Sequence, residues 1–283
     1  MARVAIFLAV LLGACANSPL VERWSATPIS SPAYESHPMF DPQTGDLYFV
    51  RGAPDFSAWR LMVSACRGHG YVAPQPPQFA AEGAVEADPF FTPDGRTLYF
   101  ISSRPYSRAS QNNLDIWRVT RSSSGVWGVP EHLPAPINSE GQEWYPRLAS
   151  DGWLYFGSSR PGGHGRTDIY RGRPDGVGGW RVENLGDAIN TPGDEYEADF
   201  SADGREMLLM GDGDLYTSHL RGGHWTAREK LGPEVNTQAM EVGGLLSSDA
   251  QAFFFSRDSG DPATSGEIYL RGRAYNFPPR CRR

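Results

Sequence analysis

Glu86-Ala87-Asp88-Pro89-Phe90-Phe91-Thr92-Pro93-Asp94-Gly95-Arg96-Thr97-Leu98-Tyr99-Phe100 reads as two strands joined at an Asp-Gly turn. A tight hairpin favours that dipeptide because its central residues need positive φ. The phrase recurs at Glu143-Trp144-Tyr145-Pro146-Arg147-Leu148-Ala149-Ser150-Asp151-Gly152-Trp153-Leu154-Tyr155-Phe156. In all, its glutamate stands at Glu35, Glu86, Glu143, Glu195 and Glu241, at intervals of 51, 57, 52 and 46 residues. Tyr48, Tyr99, Tyr155, Leu208 and Phe254 follow those glutamates by 13, 13, 12, 13 and 13 positions. Loops vary while strand pairing holds, and a period near fifty residues predicts a repeat architecture.

Each unit reads as four strands. The first carries the glutamate and ends at Thr44-Gly45, Asp94-Gly95, Asp151-Gly152, Asp203-Gly204 or the degenerate Asp249-Ala250. The second, such as Leu98-Tyr99-Phe100-Ile101 or Phe253-Phe254-Phe255, is apolar on both faces, as a strand buried between two sheets must be. The third is Asp115-Ile116-Trp117, Asp168-Ile169-Tyr170, Asp214-Leu215-Tyr216 or Glu267-Ile268-Tyr269, with Trp59-Arg60-Leu61 as a weaker first copy. The fourth centres on Trp127, Trp180 and Trp225, with Tyr71 in that place in the first unit. Four-stranded sheets repeated at this spacing bury their faces by packing on one another around an axis. The expected fold is therefore all-β, a five-bladed β-propeller of four-stranded antiparallel blades. Helices are not expected, because 32 Gly and 23 Pro interrupt most windows.

The fifth unit lacks a fourth strand after Tyr269, yet Trp24 lies 11 residues before Glu35, against 16, 15 and 16 for Trp127, Trp180 and Trp225 before their next glutamates. The amino-terminal strand is expected to complete the last blade and close the ring, removing two free sheet edges. Residues 20–283 form one propeller domain in this reading.

With 40% hydrophobic and 21% charged residues the chain has the composition of a globular domain. A formal charge of -7 excludes a basic stripe able to neutralise phosphates, so no nucleic-acid partner is expected. A monomer is expected. Arg3 followed by the apolar run Val4 to Leu12 reads as an export leader, too short to span a membrane. Leu12-Gly13-Ala14-Cys15 resembles a bacterial lipoprotein signal, cut before a cysteine that is then acylated. On that reading residues 1–14 are the signal peptide, 15–19 are the lipidated Cys15 and a tether, and the protein is periplasmic, anchored to the outer membrane. A plain secretory peptide cleaved nearby is the alternative. Cys66 and Cys281 remain, and they follow strands of blades that a closed ring makes neighbours. A disulfide between them is plausible in an exported chain, and two unpaired cysteines are the alternative.

Ser158-Ser159-Arg160-Pro161-Gly162-Gly163-His164-Gly165 leading to Asp168-Ile169-Tyr170, with Ser102-Ser103-Arg104-Pro105 before Asp115-Ile116-Trp117, resembles the WD40-like repeat of TolB-type propellers. The likeness covers roughly Glu35 to Leu270. It implies the fold and an envelope setting. The family includes interaction proteins, sensors and propellers attached to peptidases, so it leaves function open.

Arg51, Arg104, Arg160 and Arg257 follow Glu35, Glu86, Glu143 and Glu241 by 16, 18, 17 and 16 residues. This spacing reads as charge-assisted pegs between blades, the alternative being a ring of carboxylates around the axis. Gly211 stands where the fourth arginine should be, which singles out Glu195, with Glu197 and Asp199 beside it, as unpaired candidates. His37, two residues after Glu35, is placed to approach the axis. Enzyme motifs are absent: no Gly-x-Ser-x-Gly elbow, His-Glu-x-x-His helix, phosphate loop or clustered zinc ligands. No cofactor, metal or catalytic residue is expected. The expected function is a non-catalytic, membrane-anchored envelope propeller binding a protein or peptide. The alternative is a glycan-binding or glycan-cleaving propeller using axial carboxylates.

Overall fold

The computed structural model describes residues 21–24, 28–53, 57–68, 70–106, 113–261, 266–279 and 281. Cys15 and the expected leader and tether lie outside them. Five antiparallel sheets follow one another along the chain. β1 (Val21–Arg23) belongs to the last sheet, and the first is formed by β2 (Tyr34–Phe40), β3 (Leu47–Gly52) and β4 (Arg60–Ser64), paired in that order. The small hairpin β5 (Cys66–Arg67) and β6 (Gly70–Tyr71) and a bridge from Val63 to Gln75 stand where a fourth strand was expected.

Blade two comprises β7 (Glu86–Phe91), β8 (Thr97–Ser102), β9 (Asp115–Thr120) and β10 (Glu131–His132), and blade three β11 (Glu143–Leu148), β12 (Leu154–Ser158), β13 (Asp168–Pro174) and β14 (Trp180–Asn184). Blade four is β15 (Glu195–Phe200), β16 (Glu206–Gly211), β17 (Asp214–Arg221) and the short outer pieces β18 (His224–Trp225) and β19 (Glu229–Lys230). Blade five, β20 (Met240–Leu246), β21 (Ala252–Asp258) and β22 (Glu267–Gly272), receives β1 on its outer edge, with Val21 opposite Arg271 and Arg23 opposite Tyr269. Strands from the two ends of the chain thus share one sheet, as the missing fourth strand predicted.

The hairpin turns carry the positive φ that the Gly pattern implied, at Gly45, Gly95, Gly152 and Gly204. Ala250 is forced into the same conformation at φ 54°. The second strands are buried on both faces: Leu47, Phe49, Leu98, Phe100, Phe254 and Phe255 are all essentially inaccessible. Their side chains meet those of adjacent blades, so that Leu98 and Phe100 share a cluster with Phe49, and Leu209 one with Tyr155. The core lies between the sheets rather than within any of them, which is why no blade is stable alone. Cys66 and Cys281 form a disulfide with Cα atoms 5.4 Å apart, joining the carboxyl-terminal segment beyond blade five to blade one.

Candidate functional site

The phrase glutamates are structural. Glu35, Glu143, Glu195 and Glu241 each accept a backbone N–H and a hydroxyl from the residue four positions earlier, Ser31, Ser139, Thr191 and Thr237. Arg51, Arg104, Arg160 and Arg257 reach Glu35, Glu86, Glu143 and Glu241. The same guanidiniums donate to the carbonyls of Ile29, Phe79, Ile137 and Val235. Each pair therefore lies within a blade rather than bridging two blades as the spacing suggested, with Arg51 and Arg257 directly across from their glutamates and Arg104 and Arg160 just past the end of the second strand, and it ties down the connector arriving from the blade before. Burial pushes the Glu143 and Glu241 carboxyls above their usual range, opposed by the Ser139 and Thr237 hydroxyls and then by the arginines.

Glu195 does not lack an arginine. Arg228, from the segment between β18 and β19, binds it at 2.6 Å. A Cβ on Gly211 would run into that guanidinium, so the glycine marks where a substitute arginine enters. The sequence pattern looked for the cation at one register position, whereas the fold supplies it from the outer part of the same blade.

The axis is built from the position two residues after each glutamate: His37, Asp88, Tyr145, Glu197 and Gly243. Every first strand carries a bulge there, between Ser36 and Met39, Ala87 and Phe90, Trp144 and Arg147, Glu195 and Glu197, and Val242 and Leu245. A bulge re-aims a side chain, and His37, Asp88, Tyr145 and Gly243 hold positive φ of 52, 57, 51 and 70°. Four blades bring a side chain to the centre, and blade five brings the Gly243 backbone. His37 Nε2 lies 2.9 Å from Glu197 Oε1 and 3.4 Å from Asp88 Oδ1, and its Nδ1 is 2.7 Å from Ser36 Oγ. The second oxygen of Asp88 accepts the Tyr145 N–H at 2.9 Å, and that of Glu197 accepts the Gly243 N–H at 2.5 Å.

Below this layer the axis is plugged. Tyr145 crosses it, its hydroxyl donating to the Gly244 carbonyl, and the Arg147 guanidinium stacks 3.5 Å from its ring centre. Arg147 in turn donates to Asp199 at 3.2 Å, while Asp199 also accepts the Leu246 N–H at 2.7 Å. Asp199 is thus paired and lies beneath the plug, whereas His37 and Glu197 come together above it. Asp88, which the sequence reading passed over, joins them; the signal was available, since it stands two residues after Glu86 as His37 does after Glu35.

Above the plug is a blind cup of about 300 Å³. Ser36, His37, Asp88 and Glu197 form its polar floor, and Trp59, Leu114, Trp144, Tyr196, Met210 and Met240 contribute to its walls. Trp144 and Tyr196 meet edge to face at 5.2 Å. Two grooves adjoin it on the same loop face. One, of about 550 Å³, shares Tyr196, Met210 and Met240 and brings in Asp194 and Asp212; the other, of about 660 Å³, shares Trp59 and Leu114. Among the described residues, Asp88 and Glu197 have no ion pair with an arginine. Burial opposes a charge on His37, but Glu197 and Asp88 outweigh it and raise its pKa above the usual value. Asp88 is also raised, by burial, against the pull of His37. No group of three or more metal-binding side chains suited to an ion occurs among the described residues.

Of the remaining histidines, His132 donates within blade two to Asp115, and Asp168 accepts the backbone N–H groups of His164 and Gly165. These contacts organise turns and outer strands.

Fold and cup define a five-bladed β-propeller with a one-ended axial pocket. No family model and no curated relative matches the sequence. Solved structures do match its fold. A protein of unknown function from Dyadobacter fermentans is 15% identical with a TM-score of 0.52, over 91% of this chain and 89% of that one. A carbohydrate-active enzyme of family AA12 from Trichoderma reesei is 11% identical with a TM-score of 0.51, over 92% and 97%. A putative TolB from Agrobacterium tumefaciens is 16% identical over 87% and 92%, with a TM-score of 0.43. The chain spans about a third of the length of two peptidases it also matches, 34% and 29% of their chains.

Proposed function

We propose that this propeller is a non-catalytic binding protein of the bacterial envelope that takes a peptide or protein segment across its loop face, centred on the axial cup. The observation that carries the reading is the cup itself, closed below by Tyr145 and Arg147, walled by aromatic and apolar side chains, and continued on two sides by grooves. Such a concave, mostly apolar site with a few convergent polar groups is the usual form of a ligand pocket, and its extension favours an elongated occupant. A pull-down from envelope extracts with the mature protein tests it. Wild type should recover a specific partner that a Trp144→Ala variant, folded as judged by its melting curve, recovers poorly.

The disulfide accords with an exported chain, and acylation at Cys15 on the outer membrane completes the proposed setting. Labelled fatty acid should enter the wild-type protein and not a Cys15→Ser variant.

One observation favours a glycan-active reading instead. Asp88 and Glu197 are two axial carboxylates close together without arginine partners, a pairing that glycoside hydrolysis uses. Against it, each is bound to the backbone of the next blade and to His37, an arrangement that holds both in place. Turnover of envelope glycans that is lost on Glu197→Gln would decide for the enzyme.

A further inference from the structure

The composition of the cup narrows what can occupy it. Asp88 and Glu197 bring two formal negative charges to the floor. The charged groups that face His37 are Glu197 from β15, Asp88 from β7 and, across the Tyr145 ring, Arg147 from β11. The positive charge of Arg147 is engaged by Asp199. With both carboxylates ionised, even a protonated His37 leaves the floor with a surplus of negative charge. A carboxylate offers roughly four lone-pair sites, and the hydrogen bonds from His37, Tyr145 and Gly243 leave Asp88 and Glu197 each with acceptor capacity. The walls are largely of the opposite character, since the side chains of Val50, Leu114 and Val242 are aliphatic, Met210 and Met240 offer only a weakly accepting thioether, Trp144 and Tyr196 present aromatic surface, and Gln142 adds a single amide. A neutral sugar would find few partners for its hydroxyls there, and an anion would meet the two carboxylates. An ammonium or guanidinium on an aliphatic stem satisfies both layers: its charge reaches the carboxylates and its methylenes and cation–π contacts use the walls.

We infer that the axial cup is a subsite for one cationic side chain, a lysine or arginine of the bound segment; this rests on the reading that a peptide or protein segment lies across the loop face. Apolar walls and an acidic floor at the end of a blind pocket make that residue the anchor of the segment. The same geometry couples binding to His37. A cation entering beside the imidazole favours its neutral form, so a proton leaves when the ligand binds and affinity rises with pH across the imidazole titration.

The test is calorimetric titration of the mature protein with acetylated, amidated pentapeptides of alanine with lysine, arginine or norleucine at the centre. Lysine or arginine peptide should bind at least about tenfold more tightly than the neutral norleucine peptide. Proton release, read from buffers of different ionisation enthalpy, should accompany binding in wild type and vanish in His37→Gln. Asp88→Asn and Glu197→Gln should each weaken the lysine peptide while leaving the norleucine peptide unchanged. Norleucine binding as tightly as lysine overturns the cationic subsite but leaves the peptide-binding reading standing. Absence of binding by all three peptides overturns the subsite as well, and the pull-down with Trp144→Ala then decides separately whether the face binds a partner. Since the neutral peptide is compared on the unaltered protein, a variant that fails to fold does not remove the test.

Discussion

At the scale of single residues, buried charge governs this molecule. Glu195 is fully buried, and among the described residues Arg228 is its ion-pair partner. Removing one side of a buried pair strands the other, at a cost of about 3–5 kcal/mol. Arg228→Ala should therefore lower stability by that order in urea unfolding at neutral pH, and by progressively less as pH falls towards about 4, below which the orphaned carboxyl is protonated in both states. His37 gives a second pH signal. Its folded pKa is raised by Glu197 and Asp88 against burial, above an unfolded value of about 6.5. A raised histidine contributes stability that is complete below the unfolded value and is lost as pH rises through the folded one. The melting temperature should fall as pH rises from about 6.5 through the raised folded value, and His37→Gln should flatten that fall.

At the scale of elements, closure depends on β1 and on the tryptophan that follows it. The Trp24 N–H donates to the Ile268 carbonyl at 2.8 Å, and its ring meets Phe254 of blade five at 5.0 Å and Phe40 of blade one at 6.3 Å. One side chain thus staples the last blade to the first. Trp24→Ala should cost about 2–3 kcal/mol, less than a fully buried aromatic because the ring is only half-buried. It should also raise association on storage, measured by light scattering, since a loosened β1 exposes an edge of β22. The fifth hairpin offers the opposite case. Ala250 occupies a left-handed conformation at φ 54° where the first four turns have glycine. Ala250→Gly should raise stability by up to about 1 kcal/mol, the relief of the Cβ clash less the entropy glycine adds to the unfolded chain. Thermal melts of the single variant check it.

At the scale of the whole molecule, two independent clasps shut the ring: β1 on blade five, and the Cys66–Cys281 disulfide, which joins residues 215 apart in sequence. A cross-link over so long a loop limits the unfolded ensemble by at most about 5 kcal/mol on the chain-entropy model. Cys281→Ser should lower the melting temperature, and a thiol reductant should do the same to wild type while leaving the variant unchanged. The axial plug has its own consequence at this scale. Because Tyr145 spans from blade three to the carbonyl of Gly244 in blade five, the centre is closed by side chains and is not a pore.

The sequence by itself determined the number of blades, the hairpin turns, the doubly buried second strands and the origin of the closing strand. Periodicity is a local property, written into each fifty-residue unit by its own turn and strand residues. It also gave the partners in four glutamate–arginine pairs, though as links between blades rather than within one, because Glu35 and Arg51, like Glu241 and Arg257, are cross-strand neighbours in a single sheet. Only the tertiary structure decided which charges remain over. Arg228 reaches Glu195 from outside the repeated register. Asp88, His37 and Glu197 are 51 and 109 residues from one another along the chain and become neighbours only because five sheets converge on an axis, where a bulge in each first strand turns one side chain inward. Whether a carboxylate is a peg or a binding group depends on what lies across that axis, and no single repeat contains that information.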